Sequence, residues 1–472
     1  MTTRSVRAGV DDAERCIRTA ASIAQLHAFT QLCADVVRAD AEAAPTDAAL
    51  SGICYVVKDI VDAIGYATTG ATPALAENSP AQRDAPVIQR MRSAGAVLVA
   101  KTNLHELSFG ITSNNAAFGA VANPYDCTRI AGGSSGGSAV AVATGFVSVA
   151  LAADTGGSAR IPAALCGVIG FRPSTGRYPM AGVLPISPTR DTIGIVATSV
   201  RDVALLDAVL ADDPPAIPAT ELDRDLELDR VDVAGLRVGR ITSFGGPMDE
   251  AIEQAYAFAI DSWRGLGATI VDVDLADLFA TGSRIGLPIA LGEFRASVEE
   301  YLADAGVGVT LREIGDRIAS PDVRHIWAAA VADDLDPALL ADALGERDLA
   351  IAQYASRLDQ AGVDVVAYPT TPVTARAIGE DETVVVAGER AGTFDTYTRF
   401  QNLGGVLGHP SITLPAGVDA QGLPIGVEIA GRRSADRQLL AIAAALTTAL
   451  PTIPPPAIRV DDGVDRTEGG HR

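Results

Sequence analysis

The sequence predicts an α/β protein whose large mixed, mostly parallel central sheet is covered by helices on both faces. Continuous apolar runs such as residues 147–153 are typical of strands buried on both faces, because a half-exposed strand alternates polar and apolar residues. These runs alternate along the chain with helical patterns of about 10–15 residues, which is typical of parallel strands joined by crossover helices.

This alternation is clearest in the first part of the chain. The apolar patterns predict helices over residues 10–42, 85–94, 135–144 and 158–165. They predict strands at residues 52–57, 96–100 and 147–153. We therefore expect Ser158 at a strand-to-helix turn, where unpaired N–H groups and the helix dipole favour negative charge.

The second part of the chain opens with an acidic stretch that resembles a linker, residues 212–232. Beyond it we predict, in order, a strand at 236–241, a mostly helical region at 274–360, a strand at 363–368, two strands within 411–430 and a helix at 434–449. The helical region contains no cluster of residues suited to catalysis. We interpret it as a cap that shapes a pocket.

The predicted elements divide the chain into three parts. Residues 1–50 form an N-terminal helical segment, residues 51–450 form a single catalytic domain, and residues 451–472 form a C-terminal tail. The cap at about 274–360 is an insertion in the catalytic domain.

Composition limits the partners and the compartment. The net charge of −22 argues against nucleic acid and anionic membranes as partners, since both need clustered cations. No apolar run approaches the roughly 20 residues of a membrane span. The cysteines form no CxxC pair, so we expect reduced thiols, a cytoplasmic location and no zinc site; they are Cys16, Cys33, Cys54, Cys127 and Cys166.

Two glycine-rich turns, each containing serine, are the most informative local feature. Residues 132–138 read Gly-Gly-Ser-Ser-Gly-Gly-Ser, and residues 154–158 read Asp-Thr-Gly-Gly-Ser. Glycine lets backbone N–H groups crowd together and point at an anion, and serine supplies a hydroxyl that can attack or pass on a proton. We interpret the pair of turns as one hydrolytic site.

A lysine supplies a candidate base. The chain contains only two lysines, Lys58 and Lys101, beside 35 arginines. Lys58 ends an apolar run, where the alternative interpretation is a strand-end lysine that extends to solvent. Arginine stays protonated in proteins, whereas a buried lysine can lose its proton and act as a base. We therefore favour a catalytic role for Lys58.

Other interpretations of the glycine turns are weaker. No lysine follows them as a phosphate-binding P-loop requires, and the apolar flanks argue against a flexible linker. Residues 132–136 match the GxSxG nucleophile elbow, which needs a downstream histidine as base. Only His325, His409 and His471 follow, in the presumed cap, before a proline and in the tail. A purely structural pair of Gly/Ser turns would leave Lys58 unexplained.

Lys58, the 132–137 turn and residues 154–162 occur in the order found in the amidase signature family, which this chain resembles. The similarity covers roughly residues 50–210 and 360–445, and it extends through residues 170–174, 369–372 and 422–426 together with Asp436, Leu439 and Leu440. The stretches 101–115 and 185–192 are similar to those of the indoleacetamide and mandelamide hydrolase branch. Ala131 and Cys54 stand where many members have proline.

The resemblance implies a Ser-cisSer-Lys mechanism. Ser158 would be the nucleophile, and Ser134 would link it to a neutral Lys58, with a cis peptide on one side of Ser134. Asp154 and Arg160 would brace the loop, and no metal or other cofactor would be needed. The backbone N–H groups of the 155–158 turn would form the oxyanion hole, and two further residues would contact the substrate amide; these residues are Thr155, Gly156, Gly157, Thr112 and Ser113.

The expected function is hydrolysis of a small, aryl-containing carboxamide to an acid plus ammonia or an amine. An aryl-acylamidase, a carbamate (urethane) hydrolase or an ester hydrolase could use the same serine. A different class of function is a glutaminase-type subunit of an amidotransferase, which acts only inside a complex. We expect a monomer or homodimer with a small-molecule substrate.

Overall fold

The computed structural model describes residues 6–211, 228, 231–332 and 336–460. Across them an 11-stranded sheet forms the centre, and a separate two-stranded ribbon lies apart from it. The strands are β1 (Phe29–Gln31), β2 (Cys54–Lys58), β3 (Val97–Thr102), β4 (Val149–Ala153), β5 (Ile169–Arg172), β6 (Ile193–Ala197), β7 (Arg237–Ile241), β8 (Thr269–Val273), β9 (Val365–Pro369), β10 (Thr383–Val386), β11 (Glu389–Gly392), β12 (Ser411–Val418) and β13 (Pro424–Ala430).

The α-helices of the described residues surround this sheet. They are α1 (Val6–Thr19), α2 (Ala34–Ala43), α3 (Pro86–Ser93), α4 (Gly136–Ala143), α5 (Arg160–Leu165), α6 (Val200–Leu210), α7 (Glu250–Gly265), α8 (Ala276–Asp304), α9 (Leu311–Arg317), α10 (Pro321–Ala330), α11 (Pro337–Ala361), α12 (Thr393–Thr398), α13 (Gln401–Leu407) and α14 (Asp436–Thr447). None of them is both long and apolar enough to cross a membrane.

The sheet is mixed, as predicted, but its centre is not parallel. The strand order is β1-β3-β2-β4-β6-β5-β12-β13-β9-β7-β8. The four parallel pairings lie on the two sides, β3-β2-β4 and β9-β7-β8, and the pairings from β4 to β9 are antiparallel. The prediction of a mostly parallel sheet is wrong for these pairings. Between β12 and β13 the reason is the short turn that joins them, since parallel strands need a long crossover.

Helices cover both faces, as the continuous apolar strands predict. Side chains along the strands alternate between two separate clusters, with Tyr55 and Leu151 in one and Val56 and Ala150 in the other. Helices α3, α6, α7 and α14 complete the first cluster. Helices α1, α2, α4 and α5 complete the second cluster.

The N-terminal region differs from the helical structure predicted for residues 10–42. Helix α1 continues into a 3-10 helix over Ala20–Leu26, which ends at His27 in the left-handed region with φ +49°. The chain then forms β1, which pairs antiparallel with β3 at the edge of the sheet, before α2 begins. The pairing partner of this edge strand is about 70 residues away, so local periodicity does not reveal it.

The remaining predicted elements lie within a few residues of the observed ones. Strands β2, β3, β4, β7, β9, β12 and β13 and helices α3, α4, α5 and α14 confirm the predictions. Besides β1, the predictions missed the strands β5, β6, β8, β10 and β11 and the helices α6, α7, α12 and α13. Most of the linker-like stretch 212–232 and residues 461–472 of the tail lie outside the described residues.

Four helices, α8 to α11, occupy the region interpreted as a cap. Gly292 of α8 lies against Leu340 of α11, and Gly282 of α8 lies against Leu403 of α13. Phe294 of α8 stacks edge-on against Trp327 of α10, with ring centroids 5.2 Å apart. The division into three parts, with these helices as the cap, stays a prediction.

Truncation of Leu151 tests the two-faced sheet. This β4 side chain is fully buried, whereas Leu349 of α11 is 65% exposed. We expect Leu151→Ala to lower the free energy of unfolding by about 2–5 kcal/mol through lost burial and a residual cavity. Leu349→Ala, the matched control, should change it by less than about 0.5 kcal/mol in the same urea titration. Equal effects of the two variants would contradict a buried β4.

Candidate active site

Three segments of the chain meet where the neighbouring strands β2 and β4 end. Strands β2 and β4 are parallel neighbours, so Lys58 and the turn after Ala153 lie at the same end. The turn before α4, which contains Ser134, contacts the Ser158 turn, because the Ser135 N–H donates to the Ser158 carbonyl at 3.2 Å. The Ser135 hydroxyl also donates to the Ala153 carbonyl at 3.2 Å. The structure therefore brings the segments of Lys58, Ser134 and Ser158 together.

Lys58 and Ser134 contact each other directly. The Lys58 Nζ donates to the Ser134 Oγ at 2.7 Å, and both side chains are buried. The peptide bond between Gly133 and Ser134 is cis, at one of the two bonds that the resemblance indicated. The hydroxyl of Ser134 is thus placed beside the amine.

The two lysines of the chain have opposite environments. Lys101 is buried in an ion pair with Asp59, with Nζ and Oδ1 3.0 Å apart. Lys58 is equally buried, but in the part of the chain that the structure describes it forms no ion pair. Burial lowers the pKa of Lys58 to about 7, although the charges of Asp191 and Asp154 act in the opposite direction. A large fraction of Lys58 is therefore neutral at physiological pH.

Ser158 lies in the turn between β4 and α5, where 8% of the residue is exposed. Among the described residues, no protein acceptor is found for the N–H groups of Thr155, Gly156 and Ser158. The N–H of Gly157 differs, because it donates to Asp154 Oδ1 at 2.8 Å. The predicted role of Gly157 is that of an oxyanion-hole donor, but in the structure its N–H donates to the Asp154 carboxylate.

Asp154 holds the Ser158 turn through hydrogen bonds to its backbone and ion pairs with two arginines. Its carboxylate accepts the N–H groups of Gly157 and Ala159 and both the Nε and Nη2 of Arg160 at 2.9 Å. Arg172 adds a contact to the same carboxylate at 3.1 Å. Burial alone would raise the pKa of Asp154, but the two arginines reverse this and lower it. The predicted bracing residues Asp154 and Arg160 are in contact, as expected.

The bracing extends to a distant strand. Arg160 Nη1 donates to Glu428 Oε1 of β13 at 2.6 Å, and the Tyr368 hydroxyl donates to the same oxygen at 2.8 Å. Arg160 and Glu428 are both fully buried. A chain of alternating charges thus connects the Ser158 turn to the centre of the sheet.

The side chains of Thr112 and Ser113 contact other parts of the protein. The Ser113 hydroxyl donates to the Ser134 carbonyl at 3.3 Å and accepts the Gly136 N–H at 3.1 Å. The Thr112 hydroxyl donates to Asp381 Oδ1 at 2.7 Å. Ser113 therefore supports the Ser134 turn, and its contact with substrate stays a prediction, as does that of Thr112.

Sequence analysis missed Arg172, Asp191 and Glu428 as parts of this site. Arg172 and Asp191 fall inside stretches that carried the family resemblance, but no role was assigned to them. Glu428 offered one signal, a single charge between Val427 and Ile429 in an apolar strand. A buried charge requires a partner, and that signal predicts a partner without identifying it.

Within residues 6–211, 228, 231–332 and 336–460, no three or more His, Cys, Asp or Glu side chains lie together in an arrangement that could hold a metal ion.

Removal of the Asp154 charge tests the bracing network. In Asp154→Asn, the buried Arg160 and Arg172 lose part of their compensation, so we expect the free energy of unfolding to fall by about 3–5 kcal/mol. Asp272→Asn is the matched control, since Asp272 pairs with Arg240 at the surface and such pairs contribute about 1 kcal/mol or less. Urea denaturation measures both values, and a loss in D154N no larger than in D272N would contradict the network.

Comparison with known proteins supports the same interpretation of this geometry. The family model described as Amidase matches residues 13–440. Indoleacetamide hydrolase from Agrobacterium vitis is 40% identical over 394 residues, which cover 82% of this chain and 80% of that protein. Mandelamide hydrolase from Pseudomonas putida is 35% identical over 415 residues, covering 84% and 77%.

Comparison of the fold with solved structures also indicates an amidase. A crystal structure of an amidase superposes with a TM-score of 0.80 at 30% sequence identity, covering 94% of this chain and 96% of that one. These matches confirm the resemblance found on the Lys58, Ser134 and Ser158 segments. The chain belongs to the amidase family of amide hydrolases.

Proposed function

We propose that this enzyme hydrolyses a small, aryl-containing carboxamide through an acyl-enzyme on Ser158, with Ser134 and Lys58 as the proton relay. The observation that carries the proposal is the 2.7 Å hydrogen bond between a buried Lys58 amine and the Ser134 hydroxyl, beside the Ser158 turn. The same catalytic set could act on anilides, carbamates or esters, but the relatives favour the amide.

The first step needs a neutral Lys58. The Ser158 hydroxyl attacks the amide carbonyl, its proton passes to Ser134 Oγ, and the Ser134 proton passes to Lys58 Nζ. A base whose pKa lies near the working pH combines a large neutral fraction with useful basicity. The lowered pKa of Lys58, about 7, supports this role.

The tetrahedral intermediate needs donors for its oxyanion. We place the N–H groups of Thr155, Gly156 and Ser158 in this role, because no protein acceptor occupies them in the described part of the chain. One such donor contributes typically about 3 kcal/mol to transition-state stabilisation. Gly157 would contribute its N–H only if its bond to Asp154 were lost, so we propose that it shapes the turn instead.

Collapse of the intermediate releases the amine and leaves an ester on Ser158. The leaving nitrogen takes a proton from Ser134, which is replenished from the Lys58 ammonium, so the relay returns to its starting state. Water then attacks the ester through the same relay and releases the acid. The net reaction consumes one amide and one water.

The substrate proposal rests on the relatives. One is an indoleacetamide hydrolase and another a mandelamide hydrolase, and both named substrates carry an aromatic ring near a carboxamide. We propose a primary arylacetamide-type substrate for this chain. Thr112 and Ser113 would contact the substrate amide; the Ser113 hydroxyl also bonds to the Ser134 turn, and the Thr112 hydroxyl bonds to Asp381.

We further propose that the chain acts by itself, as a monomer or homodimer, in the cytoplasm. The five cysteines are free thiols, which is typical of a reducing compartment. An obligate amidotransferase complex would require a partner for activity, so activity of the purified chain distinguishes the two possibilities.

Ammonia release from phenylacetamide and indole-3-acetamide tests the reaction and the nucleophile. The purified chain should release ammonia, and Ser158→Ala should reduce kcat/KM by at least about 10³-fold. Ser22→Ala, at an exposed serine of the 3-10 helix Ala20–Leu26, serves as the matched control and should retain activity. A folded wild-type chain without activity would contradict the arylacetamide proposal, and an active S158A would contradict the assigned nucleophile.

The pH dependence tests Lys58. Only the neutral amine accepts a proton, so kcat/KM should rise about tenfold per pH unit below 7 and level off above it, in line with the Lys58 pKa of about 7. Lys58→Arg should be inactive across this range, because arginine stays protonated. Lys101→Arg should keep the midpoint of the wild-type profile. A profile that rises only near pH 10, or an active K58R, would contradict the assignment.

A further inference from the structure

Asp191 is a second carboxylate that holds the Ser158 turn, through a hydrogen bond from Thr155. Its Oδ1 accepts the Thr155 hydroxyl at 2.5 Å, and its Oδ2 accepts the N–H groups of Ile186 and Ser187 at 2.8 Å each. The carboxylate is buried, with 7% of the residue exposed. One side chain thus ties the beginning of the Ser158 turn to the segment 186–191, which runs into β6.

We propose that Asp191 is a positioning residue, which orients the Thr155 end of the oxyanion turn by tying it to the backbone of Ile186 and Ser187. This inference rests on the proposed function, because it assigns Asp191 a task in the reaction of Ser158. It goes beyond the triad and the oxyanion donors.

The hydrogen bond explains the positioning part. Oxyanion donors stabilise a transition state only if they are already aimed at it, since reorienting them during the reaction costs free energy. The Thr155 N–H is one of the proposed donors, and its residue is only half-buried. A short hydrogen bond to an ionised carboxylate is stronger than one between neutral groups, so it limits rotation of Thr155.

The negative charge of Asp191 also acts to raise the pKa of Lys58. Two carboxylates act on this amine, Asp191 and Asp154. Asp154 is bonded directly to two arginines, whereas Asp191 forms no ion pair within the described residues. Burial raises the pKa of Asp191, and the hydrogen bonds from Thr155, Ile186 and Ser187 act in the opposite direction. When ionised, Asp191 carries the less compensated of the two charges, and it opposes the desolvation of Lys58. Without it the pKa of Lys58 would lie below about 7, and the amine would be a weaker base.

Other charged groups surround Asp191 and must be considered in any pH experiment. Arg190 and Arg172 act on its carboxylate, and Glu293 accepts the Ser187 hydroxyl at 2.6 Å. On its outer side Asp191 lines a cleft of about 550 Å³ whose other titratable or charged residues are Asp62, Arg83, Asp84, Glu300, Tyr301 and Asp304. Asp304 is exposed and lies in the same cleft, which makes it a matched control.

The test compares the pH profiles of kcat/KM for phenylacetamide. In these profiles the acid limb is the rise of kcat/KM below about pH 7, and the plateau is the constant value above it. Asp191→Asn should move the acid limb to lower pH by about 1 unit, because loss of the negative charge lowers the Lys58 pKa. It should also lower the plateau. Asp304→Asn should leave the limb in place. An Asp191→Asn plateau at the wild-type level, in protein with a wild-type circular dichroism spectrum, would overturn the inference.

Thr155 variants separate the hydrogen bond from the charge. Thr155→Val removes this hydrogen bond and leaves the Asp191 carboxyl in the protein, so the plateau should fall about 10–100-fold, and Thr155→Ser should restore it. A wild-type plateau in T155V would overturn the inference. If D191N does not fold, the T155V and T155S pair decides.

A wild-type profile without any limb near pH 7 would be a different result. It would remove the Lys58 base itself, and with it the proposed function on which this inference rests. A normal wild-type limb with unaltered D191N and T155V profiles would remove the Asp191 inference alone.

Discussion

The site depends on a buried lysine that bonds to a hydroxyl instead of a carboxylate. Lys101 shows the usual alternative, since its amine is equally buried but paired with Asp59. Lys58 is the last residue of β2, where the 2.7 Å contact to Ser134 leaves desolvation as the largest influence on its pKa. That balance makes a neutral base available near pH 7, and the surrounding structure preserves it.

The surrounding charges are arranged so that the Ser158 turn is rigid without making Lys58 a permanent cation. Asp154 satisfies backbone N–H groups of the turn, and Arg160 and Arg172 neutralise it. Glu428 balances Arg160 from β13, so the turn is tied to the middle of the sheet. Breaking any member of such a buried set leaves an uncompensated charge, which explains why catalysis and stability share residues here.

Much of the site was predictable because its chemistry is local. The serine turns and the isolated lysine are readable from neighbouring residues, and the parallel pairing of β2 with β4 brings their ends together. The partners of these groups were not predictable, since Arg160 meets Glu428 across 268 positions and the tie between Asp191 and Thr155 spans 36. The same reason explains two errors in the fold. Strand direction at the sheet centre and the edge strand β1 both depend on distant pairing, which composition and periodicity do not contain.

The most direct test of the account is the ionisation of Lys58 itself. Because the chain has only two lysines, ¹³Cε-lysine labelling gives two NMR signals, and Lys101→Arg assigns them. The account predicts that the Lys58 signal titrates with a midpoint near pH 7 in the free enzyme. A Lys58 that stays protonated up to about pH 10, as an ordinary exposed lysine does, would contradict it.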